Sequence, residues 1–154
     1  MHLVAQTGYV RAMSGNQDTE HERPDGMDDA TVEAVGAVSE ALECVERARG
    51  ALYDFHQLMG HADLLLGQAC DKLREAGHAA VAERLENEVV GRNVLHGRWT
   101  FQIVEDFDDN YWTVFRDNER RVREELQAGK RHVFEAEMKE RRRTHGRGGH
   151  ESRP

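Results

Sequence analysis

An all-α protein is predicted, with a long N-terminal helix, or helix pair, packed by shorter helices into an antiparallel bundle or extended hairpin. Three observations carry that prediction. Across Val32–Leu73 the apolar residues recur at steps of three and four: Val35, Val38, Leu42 and Val45, then Ala48, Leu52, Phe55, Met59, Ala62, Leu66, Ala69 and Leu73. Such spacing lays one stripe along an α-helix. The only prolines are Pro24 and Pro154, so nothing in Ala30–Arg143 removes a helical N–H. Gly77, Gly91 and Gly129 stand where periodic runs end, with short connections that favour antiparallel neighbours.

Residues 1–27 are rich in glycine and acid and lack periodicity, and they are expected to form a disordered acidic extension. Met13 is a possible alternative start. A single helical domain is expected over 28–143. Asp28 or Asp29 suits the N-cap of its first helix. A continuous helix of about 42 residues would be roughly 63 Å long, so its stripe must be covered along that whole length. The stripe slips by one residue near Arg47–Gly50, and Gly60 is the expected break if there are two helices. A shorter helix follows over His78–Val90, with Val81, Leu85 and Val89 four apart and Gly91 as the stop.

Residues 98–115 read two ways. Trp99, Phe101 and Ile103 alternate with polar neighbours, which allows a small β-hairpin at 98–115 closed across Asp108-Asp109-Asn110. Val104, Phe107, Tyr111, Phe115, Val122 and Leu126 also step helically. An isolated two-stranded hairpin is marginal in water, so a helix from about Asp109 to Ala128 is favoured, with 98–107 extended or a short helix. A last helix is expected over Lys130–Arg143, and 144–154 as a disordered basic tail. Trp99, Phe101, Phe107, Tyr111, Trp112 and Phe115 crowd one short stretch and are expected to form the densest core.

The net charge of −8 is polarised: acids gather in Ser14–Ala34 and arginines in Lys139–Pro154. Cys44 and Cys70 would stand about 39 Å apart on one straight helix, too far to bridge, and both read as small buried apolar residues. Two thiols in an otherwise cysteine-free chain point to a cytoplasmic, reducing location. No apolar run is long enough to span a membrane. The basic tail lacks interleaved aromatics, so nucleic acid is not an expected partner.

Little in the chain points to chemistry. No nucleophile motif and no phosphate-cradling glycine loop occurs. His56 and His61 do not converge on a helix, whereas His56 and Asp63 align as a polar edge beside the stripe. Glu75 and His78 have the Glu-x-x-His spacing of di-iron bundles, but only once, so neither metal nor cofactor is expected. Ligand binding is best placed at Arg92, Asn93, His96, Arg98 and Trp99, where arginine forks suited to carboxylate or phosphate adjoin aromatic side chains. The expected function is a non-enzymatic helical interaction or assembly protein. It is expected to be a homodimer, helix packed on helix as in a coiled coil, because one chain of this size has little apolar surface left to cover the stripe. A protein partner is the other occupant considered. The alternative is a helical-bundle enzyme or ligand-binding protein with an anion or metal site near Arg92–Trp99.

Overall fold

The structure, a computed structural model, describes residues 19–153. The fold is all-α, and no strand occurs among the described residues. Helix α1 spans Asp29–Glu75, α2 Ala79–Glu88, α3 Thr100–Phe107, α4 Thr113–Gln127 and α5 Val133–Arg142. A π-turn, Asp108–Trp112, joins α3 to α4. Two compact units are present: Ala37–Val122, and the segments up to Gly36 together with those from Arg123 onward.

Helix α1 starts where a cap is available. Asp28 Oδ1 accepts the Thr31 N–H at 2.8 Å, meeting one of the unpaired donors of the first turn. It ends in a Schellman motif around Gly77, whose φ of +83° suits a residue without Cβ. There the His78 N–H reaches Leu73 O at 2.7 Å and the Gly77 N–H reaches Arg74 O at 3.0 Å. The expected break at Gly60 does not occur, and α1 is uninterrupted. A single helical glycine costs about 1 kcal/mol against alanine, which is too little to break a helix whose covered face continues on both sides.

The covered face differs from the predicted stripe. In Ala37–Val122 the covered seam of α1 runs through Val38, Leu42, Val45, Arg49, Leu52, His56, Met59, Asp63, Leu66, Cys70 and Leu73, with Ser39, Tyr53, Gly67 and Ala69 half-buried beside it. The seam positions alternate steps of four and three throughout, so there is no slip near Arg47–Gly50. Ala48, Phe55 and Ala62 are exposed instead. Insistence on apolar residues moves the stripe one residue sideways wherever the seam turns polar. Cys44 is likewise exposed, one residue off the seam, while Cys70 is fully buried; both are free thiols.

The later chain runs back along α1. Ser39 meets Glu119, Glu46 meets Trp112, Arg49 meets Asp108, His56 meets Thr100, Asp63 meets the Gly91 N–H, and Arg74 pairs with Glu86. Each advance along α1 is matched by a retreat along its partner, which is an antiparallel pairing. The hairpin alternative at 98–115 is overturned: Thr100–Gln127 is helical, and the only bridge among the described residues is an isolated pair, Leu95 with Arg98. Helix wins because Thr100, Val104 and Asp108 then recur on one face and reach α1. In a straight α-helix each four-residue step overshoots a full turn by about 40°. The wider π-turn takes up that drift and returns Trp112 to the face of Asp108.

The aromatic cluster is not the densest core. Trp99, Phe101 and Tyr111 are exposed, and the buried apolar residues of this unit are Cys70, Ala82 and Val104. The rings associate along the surface instead, with Trp99 stacked on Phe101 at 6.0 Å and Tyr111 between Phe107 and Phe115 at 5.6 and 6.1 Å.

In the other unit, Val32, Val35 and Val133 are buried. The Arg23 guanidinium forks onto Glu137 at 2.6 and 2.7 Å and pairs with Asp29 at 2.8 Å. Lys130 Nζ donates to Glu22 O at 2.7 Å, and Arg153 pairs with Glu20 at 3.1 Å. The oppositely charged ends thus meet each other. Residues 1–18 of the expected acidic extension lie outside the described residues. Helix α4 stops on two successive left-handed residues, Ala128 and Gly129. Arg123 donates to Gly129 O at 3.1 Å and Gln127 to Lys130 O at 2.9 Å, so two buried polar side chains secure the reversal into α5.

The glycines of α1 separate into two kinds. A Cβ at Gly60 meets nothing within 4 Å, whereas one at Gly36 falls 3.1 Å from Phe134 Cβ. Gly60→Ala is therefore expected to raise stability by about 0.5–1 kcal/mol. Gly36→Ala is expected to lower it, because a Cβ is tied to its own backbone and cannot swing aside. Urea unfolding of the two variants beside wild type checks both signs.

Candidate functional site

Arg49 occupies a seam position where an apolar side chain would be ordinary. Its Nε donates to Asp108 Oδ1 at 2.7 Å and its Nη2 to Oδ2 at 2.9 Å. That is the fork geometry that suits guanidinium to carboxylate. Tyr53 lies one turn on, and its hydroxyl donates to Asp108 Oδ2 at 2.9 Å. The Arg49 guanidinium also lies 4.1 Å from the Trp112 ring centre, and Arg116 sits 4.3 Å from the same ring. Trp112 Nε1–H donates to Glu46 at 2.8 Å. The π-turn makes this possible by presenting Asp108 and Trp112 together, and the Thr113 hydroxyl ties it by donating to Asp108 O at 2.6 Å.

The electrostatics follow from those contacts. Arg49, and then Tyr53, hold the Asp108 carboxyl below its usual range. The same carboxylate pushes the Tyr53 hydroxyl up. Both Asp108 carboxylate oxygens and the Tyr53 hydroxyl are engaged within the cluster. Among the described residues no buried side-chain nitrogen or oxygen lacks a partner. The cluster is therefore a lock on the chain reversal. His56 and Asp63 extend it at intervals of seven. His56 Nδ1 lies 2.7 Å from Thr100 Oγ1, and Asp63 accepts the Gly91 N–H at 2.7 Å.

The ligand residues expected from sequence lie in the loop between α2 and α3. Gly91 and Gly97 have φ of +70° and +71°, which lets the loop fold tightly. Gln102 Oε1 accepts the Trp99 N–H at 2.9 Å and starts α3. Asn93, Arg98 and Trp99, with Leu95, Gly97 and Gln102, line a half-open depression of about 310 Å³. Arg92 and His96 do not line it. Arg98 is engaged by Asp106 at 3.1 Å, and Arg92 donates to Glu88 O at 3.3 Å. No group of three or more metal-ligating side chains is gathered among the described residues.

The feature without an internal purpose is apolar. Leu58, Leu64, Leu65, Trp99, Phe101, Tyr111 and Val114 are all exposed, with Leu64 at 67% and Trp99 at 65%. Arg49 is charged and falls outside an apolar stripe, so hydrophobic periodicity does not reveal the Arg49–Asp108 lock. The available signal was the interval of seven linking Leu42, Arg49, His56, Asp63 and Cys70.

These features define a class: an antiparallel helical hairpin built on one long helix, with a polar-studded covered seam and exposed apolar side chains. No protein-family model, curated protein or solved structure matches the chain.

Asp108, with its carboxyl held low when folded, stabilises the protein above its ordinary titration near pH 4. That contribution disappears as pH falls through the depressed folded value. Asp108→Asn is expected to cost about 1–2 kcal/mol at pH 7, since charge-assisted hydrogen bonds here are partly screened. It should also flatten the loss of stability below about pH 4. Urea midpoints from pH 7 to 2 check both expectations.

Proposed function

We propose that the chain is a non-enzymatic helical interaction protein that assembles through its exposed apolar side chains, with a second copy as its first partner. One observation carries this reading: Ala37–Val122 closes its own seam and still leaves Leu58, Leu64, Leu65 and Trp99 open to water. Leu58 and Leu65, seven apart on α1, share one helix face, and contiguous exposed apolar patches mark interaction surfaces. No helix among the described residues is long and apolar enough to cross a membrane. Two free thiols and the absence of a nearby partner thiol fit a reducing, cytoplasmic setting. Light scattering on the full chain at micromolar concentration is expected to give twice the chain mass of 17.6 kDa. A monomer across that range rejects the reading.

The depression at Asn93, Arg98 and Trp99 supports a second reading, an anion-binding protein. Its requirement is that Arg98 leave Asp106 for the ligand. Titration with inorganic phosphate tests this. A heat signal abolished by Arg98→Ala supports anion binding, and a flat titration removes it.

A further inference from the structure

Helix α1 carries a second heptad row beside the covered one. Ala37, Ala41, Cys44, Ala48, Ala51, Phe55, Leu58 and Ala62 alternate steps of four and three without a break, and every one is exposed. Each precedes a seam residue by one position, so the row lies about 100° around the helix from the seam. It contains no charged residue, whereas the covered seam contains Arg49, His56 and Asp63. From Ala37 to Ala62 it rises about 38 Å.

The row is lopsided. Its first five members are alanine or cysteine, and its bulk lies in Phe55 and Leu58. A parallel, in-register twin would set Phe55 against Phe55 and alanine against alanine, crowded at one end and hollow at the other. An antiparallel twin turned about a point near Arg49–Gly50 sets Phe55 on the partner's Cys44 and Leu58 on the partner's Ala41. Ala48 then meets the partner's Ala51, and Ala37 meets the partner's Ala62. Every large side chain faces a small one, as close packing requires.

The flanking charges select the same arrangement. Glu40, Arg47, Asp54 and His61 border the row at intervals of seven. Arg47 and Asp54 have no ion-pair partner among the described residues. In the antiparallel arrangement Arg47 faces the partner's Asp54 twice, once on each side of the axis, and Glu40 faces the partner's His61. In the parallel arrangement the two charged borders lie on opposite edges of the pair, so Arg47 does not meet the partner's Asp54 and the complementarity is lost.

We propose that the outer row of α1, Ala37–Ala62, is a homodimer seam in which two copies pair antiparallel about Arg49–Gly50. This rests on the assembly reading above and narrows its surface to the row that holds Phe55 and Leu58, leaving Leu64, Leu65 and Trp99 outside the seam. The test uses the full chain by sedimentation equilibrium. Arg47→Asp and Asp54→Arg are each expected to weaken the dimer about tenfold, by placing like charges at two symmetric points. The double variant restores the pair and should return to within about threefold of wild type. Helical content by circular dichroism verifies that each variant folds.

Cross-linking supplies an independent measurement. Cys44 of the two copies would be about 16 Å apart along the axis, beyond the Cα separation a disulfide spans. Oxidation should therefore leave wild type uncross-linked, while Ala41→Cys with Leu58→Cys in a Cys44→Ser background should trap a covalent dimer. A dimer indifferent to the charge exchange, or joined through Cys44, overturns the antiparallel seam and leaves the assembly reading standing. A monomeric wild type overturns both.

Discussion

The constraint on which the structure depends is the register between α1 and the chain that returns along it, and Arg49 on Asp108 is where that register is set. Apolar seams tolerate sliding, since one leucine packs nearly as well against the next turn as against its own. A guanidinium fork on one carboxylate does not. With Tyr53 on the same carboxylate and Trp112 against the guanidinium, a shift of one turn would strand several partly desolvated groups together. The cost of leaving such groups unpaired exceeds what the pair contributes when made. The lock therefore specifies the alignment more than it adds net stability, as polar seam residues do in other helical pairs.

His56 and Asp63 repeat that logic at weaker strength. Each meets one polar group of the returning chain: the Thr100 hydroxyl for His56 and the first free N–H after α2 for Asp63. The Asp63 contact places the α2–α3 loop, and the loop places the start of α3. The π-turn then compensates the drift of a four-residue repeat, so Asp108 and Trp112 reach α1 together. Local helix geometry and long-range pairing thus agree from Ser39 to Arg74.

Much of this was legible in the residues. The cap of α1 at Asp28, its stop at Gly77, the helices after it and the all-α class follow from periodicity and end signals, while its continuity through Gly60 does not. The details that failed share one cause. Hydrophobic periodicity assumes that covered means apolar, and here Arg49, His56 and Asp63 are covered while Ala48, Phe55 and Ala62 are not. The apparent slip near Arg47–Gly50 was the reading crossing from one heptad row to its neighbour. The same assumption put the aromatics in the core, whereas Trp99, Phe101 and Tyr111 are exposed. Of the ligand residues expected from sequence, the loop gathers Asn93, Arg98 and Trp99, and Arg98 already has a carboxylate for a neighbour.

The distribution of polarity on α1 also bears on what the chain is for. A helix that served only its own fold would place its uninterrupted apolar row inward and its interrupted one outward, because burial of apolar area is the main favourable contribution to folding. Here the inner row carries the interruptions and the outer row has none. The inner row is specified by polar pairs that cost desolvation, and its one fully buried member in Ala37–Val122 is Cys70. Such a chain, on the assembly reading, gains further stability when the outer row is covered, and mass action would tie its folding to the concentration of its partner. On the assembly reading, specificity is invested within the chain and the remaining apolar driving force between chains, which is the division expected of a protein whose work is association.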